Sequence, residues 1–278
     1  MIGSFLVMLR EGFEATLLVA IVLAYLTKIG YGEGFRSVWY GLGAAVLVSL
    51  AVAGALFATA SGLGGTAGAL FKAGTMWLAV GFLTYMVLWM RRQSRTVAKG
   101  IRHGVDDAVE KGGMIALSAL VFVMVLREGI ETGLFMFGIS QTSTPLGVTI
   151  GAVGGIAGAI VLGYAVYAGG KRIDLGTFFK VTGALLIVVA AGLTARGVAL
   201  IEIEGLIPAF FYPLWNLTHI GILTSESVVG QSLTAFLGWD PQPDLLEFAA
   251  WALYVLAVGF LFLRPVTSAS NSPAEARG

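Results

Sequence analysis

Long apolar runs separated by polar segments repeat through the whole chain. Seven of these runs contain 18 or more mostly apolar residues, which is the length that a helix needs to cross the hydrocarbon core of a bilayer. They lie at about residues 2–26, 38–59, 70–90, 113–140, 145–167, 178–200 and 246–263. The pattern predicts an all-α integral membrane protein with seven transmembrane helices.

Two longer segments interrupt the runs, and a third follows the last run. In residues 91–112, apolar residues recur every four positions from Val97 to Val109 among many charges, which predicts a short amphipathic helix on the membrane surface. Residues 201–245 are broken by prolines and carry aromatic residues typical of membrane interfaces, so we predict short or re-entrant pieces in this outer loop. Residues 264–278 are rich in Ser, Ala and Pro, which predicts a disordered tail.

One five-residue motif occurs twice, as Arg10-Glu11-Gly12-Phe13-Glu14 in the first span and Arg127-Glu128-Gly129-Ile130-Glu131 in the fourth. The flanking sequences align at a constant offset of 117 residues, which indicates a duplication. Because three crossings separate the two copies, their helices must run in opposite directions. We therefore predict a 3+3 inverted repeat, at about residues 2–90 and 113–200, plus a seventh helix. Together they form one transmembrane domain over residues 1–263.

Composition and charge distribution narrow the class of protein. The chain is 57% apolar and only 12% charged, with a mean hydropathy of +0.88, whereas a soluble domain has about 25% charged residues. Cysteine is absent, which excludes disulfides and thiolate metal sites. Most of the 17 Lys and Arg residues fall on one side if the N-terminus is outside. We predict a multi-pass protein of the cytoplasmic (inner) membrane with a cytoplasmic C-terminus, the lipid bilayer as partner and no nucleic acid.

The two motifs are the candidate site. A charge at the centre of a membrane helix costs about 2.5 to 3.5 kcal/mol, so six in two short motifs need a functional reason. Helical spacing places the three charges of each motif on one face. Two facing copies combine the candidate metal ligands Glu11, Glu14, Glu128 and Glu131 with the supporting arginines Arg10 and Arg127.

The ligand types limit the ion that this site can take. The formal charge is −4 + 2 = −2, and carboxylate oxygens are hard ligands. No predicted span contains Cys or His. This inventory leaves iron, manganese, magnesium or calcium open. At the outer face, the candidates for attracting cations are Glu202, Glu204, Glu226 and His219, with a plain solvated helix end as the alternative.

These motifs resemble those of one known family. The doubled Arg-Glu-Gly-x-Glu motif in the first and fourth of seven helices is similar to that of the oxidase-dependent iron permeases. This family includes the fungal iron transport protein and the permease of a tripartite bacterial iron uptake system. Thr182-Gly183-Ala184-Leu185-Leu186, Ala190-Ala191-Gly192-Leu193 and Gly238-Trp239-x-Pro241-x-Pro243 also look like the bacterial branch. The resemblance covers about residues 1–263.

The resemblance implies high-affinity iron import, with the motif glutamates handling the ion and with no cofactor besides the transported iron. It also implies separate partners at the outer face, an oxidase or peroxidase and an iron-binding protein. We therefore predict a permease and not an enzyme, and expect the ion to be ferric. Two alternatives stay open: a membrane-embedded metal-dependent enzyme, and the same transporter fold selecting manganese or lead.

Overall fold

The structure is a computed structural model, and it describes residues 1–93, 97–168, 174–224 and 227–264. Within these residues the chain is helical, without strands. The helices are α1 (Ile2–Ile29), α2 (Gly34–Gly62), α3 (Gly65–Gln93), α4 (Val97–Ser140), α5 (Pro145–Tyr167), α6 (Leu175–Ile203), α7 (Val228–Leu237) and α8 (Leu245–Leu263), with a 3-10 turn at Gly221–Leu223. Apart from Arg264, the predicted tail lies outside the described residues.

Six segments are long and apolar enough to cross a membrane. They are Gly34–Gly62, Gly65–Met90, Gly112–Ser140, Pro145–Tyr167, Gly176–Ile203 and Leu245–Leu263. The all-α fold with several candidate membrane spans is therefore confirmed. Helix α1 is not one of these six, and it carries the three charges of the first motif and Lys28. The seventh span stays a prediction, as does the inverted repeat.

Helix α4 consists of two segments that meet at Gly113. The backbone there has φ 58° and ψ −138°, a conformation open in practice only to glycine. In the first segment, residues 97–112, Ile101 and Val105 are buried, and they pack with Leu26 of α1 in one apolar cluster. The apolar stripe that the sequence predicted to face the membrane therefore packs on the protein. Amphipathic spacing alone does not distinguish these two environments.

Close backbone contacts join α1 to α5. A Cβ atom on Gly155 would lie 2.6 Å from the carbonyl oxygen of Phe5, and one on Gly163 would lie 2.6 Å from Thr16. Small residues at four-residue spacing allow membrane helices to approach this closely. Because the residue numbers of both helices rise together along the contact, α1 and α5 run parallel.

The contact between α2 and α4 follows the same pattern. A Cβ atom on Gly41 would collide with the carbonyl oxygen of Ser118, and one on Gly133 would lie 3.3 Å from the Cβ atom of Ala53. These two helices therefore also run parallel. Helices α1 and α2 therefore each pack against a helix from later in the chain: α1 against α5, and α2 against α4.

Helices α1 and α4 run antiparallel through the centre of the bundle. Phe13, in the N-terminal half of α1, belongs to the same apolar cluster as Phe135 and Ile139 near the end of α4. Leu26, near the end of α1, packs in a second cluster with Leu117 at the start of the long segment of α4. Along α4 the two clusters lie on either side of the motif, whereas along α1 the first cluster extends across the motif, from Leu6 to Leu17.

Helix α6 lies antiparallel to both α3 and α8. Val87 of α3 and Phe262 of α8 both approach Gly183 near the start of α6. At its end, Glu204 accepts a hydrogen bond from Thr66 at the start of α3 (3.4 Å). The bundle thus has two faces: a basic face, which carries residues 97–112, and an acidic face, which carries the end of α6.

Candidate functional site

Both copies of the motif lie inside the bundle, where α1 crosses α4. Five of the six charged side chains are almost completely buried: Arg10 and Glu11 (1% exposed), Glu128 (2%), Glu14 (4%) and Glu131 (8%). The side chain of the sixth, Arg127, is 52% exposed. The two copies therefore have the same sequence pattern and different surroundings.

Three carboxylates from the two helices converge. Glu11, Glu128 and Glu131 each offer one oxygen, and these oxygens all lie within 4.8 Å of one another. Oxygen ligands bind hard cations at about 2.0–2.6 Å, so two ligands of one ion lie at most about twice that distance apart. The three carboxylates are close enough to share a single metal ion.

Each arginine pairs with both glutamates of its own motif. Arg10 Nη1 lies 3.4 Å from Glu11 Oε1, and Arg10 Nε lies 3.2 Å from Glu14 Oε1. In the second motif, Arg127 Nε donates to Glu128 Oε1 at 3.1 Å and lies 3.5 Å from Glu131 Oε1. Each guanidinium thus offsets part of the buried negative charge but does not provide a partner for every carboxylate oxygen.

The remaining carboxylate oxygens are buried without donors. Oε2 of Glu11, Glu128 and Glu131 accepts no hydrogen bond from any described residue. Leaving a buried charged oxygen without a partner is costly. A cation between the three carboxylates would satisfy these oxygens, whereas a purely structural ion pair would not need the third carboxylate.

A cavity of about 500 Å³ leads from the second motif toward the basic face. Glu14, Arg127 and Glu128 line it at the motif, and Gly100 and Ile101 line it where it reaches residues 97–112. The Arg127 guanidinium also lies over the ring of Trp89, 5.7 Å from the ring centroid. This cation–π contact holds the guanidinium against the cavity wall. Glu14 is therefore placed on the cavity wall, beside the group of three.

Each motif glycine allows a neighbouring helix to approach closely: α5 at Gly12 and α2 at Gly129. A Cβ atom on Gly12 would lie 2.9 Å from that of Ala159 in α5, and a Cβ atom on Gly129 would collide with Ser49 in α2. A larger residue at either position would push the neighbouring helix away from the carboxylates.

The candidates at the outer face are not all brought together. Glu202 lies within reach of two other acids, Asp244 and Glu247, whereas Glu204 and His219 are exposed and lie outside this group of three. Glu226 lies outside the described residues. Asp244 and Glu247 were not singled out from the sequence, although Asp-x-x-Glu before an apolar run is a signal for a helix start.

Comparison with known proteins identifies the family. The family model described as "Iron permease FTR1 family" matches residues 1–272. The chain belongs to this family. Among the relatives of this FTR1-family chain, the ferrous iron permease EfeU of Yersinia pestis is 34% identical over 280 residues, which cover 100% of this chain and 99% of the relative. EfeU of Escherichia coli O6:H1 is 33% identical over 267 residues, which cover 95% and 96%. No solved structure matches the chain.

Membership of the iron permease FTR1 family confirms the predicted resemblance. Together with the six apolar helices, it makes the chain a multi-pass membrane protein of an iron-transporting family. The relatives are named as permeases and not as enzymes.

Proposed function

We propose that this protein imports iron across the cytoplasmic membrane and that the ion in transit is bound by Glu11, Glu128 and Glu131. One observation carries the proposal: three buried carboxylates from two helices place oxygens within 4.8 Å of one another, and each keeps an oxygen without a donor in the described chain. Glu14 receives or releases the ion on the cavity side. Membership of an iron permease family supplies the identity of the ion.

We propose further that α1–α3 and α4–α6 form an inverted repeat around this site. Equivalent positions are 117 residues apart in α1 and α4 and 110 residues apart in α2 and α5. Gly12 faces Ala159, and the equivalent pair, Gly129 and Ser49, is also in contact. By the same correspondence, the contact of Gly41 with Ser118 is equivalent to the contact of Gly151 with Met1. Secondary transporters of this architecture bind their ion at the repeat interface.

The orientation follows from charge. The basic face carries Lys99, Arg102 and Lys111 in residues 97–112, and positive loops remain in the cytoplasm. We therefore place the basic face and the end of α8 inside and the N-terminus outside. Because the cavity runs from the motif toward the basic face, this arrangement corresponds to an inward-facing state with α1 as the seventh span.

The valence of the ion is a separate part of the proposal. Over all six charged groups the site carries −2, so that a ferrous ion leaves zero and a ferric ion leaves +1. Arg127, however, is half exposed, and the fully buried groups carry −4 + 1 = −3, which a ferric ion balances. We propose ferric iron on this ground, delivered by an oxidase or peroxidase and an iron-binding protein at the outer face. The relatives themselves are named ferrous iron permeases.

Uptake of radiolabelled iron into proteoliposomes tests the proposal. Glu128→Gln keeps the size of the side chain and removes its charge, and we expect it to reduce uptake by at least about tenfold, because it removes a ligand. Glu33→Gln makes the same chemical change at an exposed position and should transport like the wild type. Equal uptake by wild type and Glu128→Gln would refute the carboxylate site.

The same vesicles separate the two valences. Uptake is measured with iron kept ferrous by a reductant and with iron supplied as a ferric citrate complex. Transport of ferric iron without reduction agrees with the charge count over the buried groups. Transport of ferrous iron alone would overturn the ferric assignment and leave the site itself intact, since carboxylates bind both ions.

A further inference from the structure

A second group of carboxylates lies outside the motif site, where α6 ends and α8 begins. Glu202, Asp244 and Glu247 each offer an oxygen, and the three oxygens lie within 4.8 Å of one another. The three oxygens of the motif site meet the same upper limit. The three residues are far apart in sequence, and the fold of residues 204–243 brings the two helix ends together.

Asp244 distinguishes this group from an ordinary acidic surface patch. Its side chain is buried, with the residue 2% exposed. Oδ1 accepts a hydrogen bond from the backbone N–H of Glu247 at 2.6 Å and so caps α8, but Oδ2 has no donor among the described residues. Glu202 Oε1 is also buried without one. Asp244 and Glu202 face each other, so only a proton or a cation can join them.

A cavity on the acidic face adjoins this group at Glu247. This polar cavity has a volume of about 590 Å³ and is lined by Arg196, Tyr212, Thr218, Asp240, Gln242 and Glu247. Arg196 interacts electrostatically with Glu247 and, among the described residues, is the one basic residue that lines this cavity. Asp240 also lines the cavity and acts on Glu247, so the four carboxylates and Arg196 carry −4 + 1 = −3, and a hard cation is the ligand whose charge and chemistry fit.

We propose that Glu202, Asp244 and Glu247 form a second cation site, which takes a hard di- or trivalent metal ion from the acidic face. The backbone of Gly238 lies directly against Gly192 of α6, and the gap beside this contact is only about 30 Å³. In this structure the second site is therefore closed off from the motif. An ion bound there waits outside while the motif carboxylates are open to the basic face.

The binding of a cation at this second site does not depend on the proposed function. Only the further step, that the bound ion is iron on its way to Glu11 and Glu128, rests on that function. The experiment should therefore measure binding and transport separately.

Terbium(III) is a suitable probe, because it is a hard trivalent ion that emits when excited through a nearby tryptophan. Glu247 lines one cavity together with Trp239 and Trp251. Titration is done on the full chain carrying Glu11→Gln and Glu128→Gln, which removes two ligands of the motif site. We expect terbium emission to persist in this background and its apparent affinity to fall at least about tenfold on adding Asp244→Asn.

Two further variants serve as checks. Asparagine caps helices as well as aspartate does, so Asp244→Asn should unfold at the wild-type temperature without metal. Glu202→Gln, on the other helix, should lower terbium affinity in the same way. Glu204→Gln lies two residues away at an exposed position and should leave terbium affinity unchanged.

Two results would overturn the second site: terbium affinity unaffected by Asp244→Asn and Glu202→Gln together, or lowered equally by Glu204→Gln. The proposed function fails differently, through iron uptake that is insensitive to Glu128→Gln. Loss of terbium binding in Asp244→Asn combined with such uptake would support the second site and reject the motif site.

Discussion

The two motif arginines are expected to contribute very differently to stability. Arg10 is 1% exposed and pairs with two buried glutamates. Removing one partner of a buried ion pair costs about 3–5 kcal/mol, because the other charge is left uncompensated. Arg127 is 52% exposed, so its own charge is already partly solvated, but its partner Glu128 is buried (2% exposed). Loss of Arg127 should cost less than loss of Arg10, about 1–2 kcal/mol, between the figure for an exposed pair and that for an unsatisfied buried acceptor.

Arg10→Gln and Arg127→Gln therefore form a matched pair. The expected difference in unfolding free energy is about 1–4 kcal/mol, the gap between the two estimates. At about 2–4 °C per kcal/mol for a large domain, this corresponds to a difference in Tm of roughly 2–16 °C. The assay is thermal unfolding of purified protein in detergent, followed by tryptophan fluorescence.

A cation should narrow this gap. Without Arg10 the site carries −3, so an added divalent metal ion is expected to raise the Tm of Arg10→Gln more than that of the wild type. Equal Tm values for the two arginine variants would show that Arg10 and Arg127 have equivalent surroundings, against the burial on which this reasoning depends. The measured gap is independent of transport.

Three further changes test the packing and the cavity. Gly155→Ala should destabilise the bundle by about 1–3 kcal/mol in thermal unfolding, because its Cβ atom would lie 2.6 Å from a carbonyl oxygen. Its control, Gly154→Ala, has 3.5 Å to the nearest atom and should be near neutral. Gly113→Ala should cost about 1–3 kcal/mol through its backbone conformation, and Gly100→Ala, with open space around it, should not destabilise. Val123→Cys, on the cavity wall, should react quickly with a water-soluble thiol reagent. The chain has no other cysteine to react. An unreactive thiol would contradict a cavity that is open to water.

The membrane fold and the motif region were predictable from sequence for a simple physical reason. Apolar runs of this length have few stable solutions other than spanning helices. Charges within such runs find partners only in one another or in an ion. Glu11 and Glu128 could therefore be expected to meet, and in the structure they do.

The differences between equivalent residues could not be predicted. Arg10 and Arg127 occupy the same position in their motifs, yet one is buried and the other is half exposed. Glu14 and Glu131 are likewise equivalent, and only Glu131 belongs to the group of three. These differences come from the neighbours, such as Trp89 beside Arg127, and a motif carries no information about which neighbours it will have.

The outer carboxylates were beyond sequence analysis for another reason. Apart from α7 (Val228–Leu237), residues 204–244 have neither the 3.6-residue nor the two-residue period that fixes which side chains share a face. Their path is set by tertiary contacts, such as Leu214 and Leu217 donating backbone hydrogen bonds to the carbonyl oxygens of Pro243 and Pro241. Only this path brings Asp244 to Glu202.

The unequal surroundings of the two arginines follow from the proposed architecture. In an inverted repeat, the outward-facing state arises when the two halves exchange conformations about the central site. Arg127 would then become buried and Arg10 would line a cavity toward the acidic face, where Glu202 and its neighbours hold their ion. The position equivalent to Val123 is Leu6, which is 8% exposed here and would become the wall of that outer cavity. If the two halves form the proposed inverted repeat, the asymmetry of one structure predicts both ends of the transport cycle, with the three central carboxylates common to both.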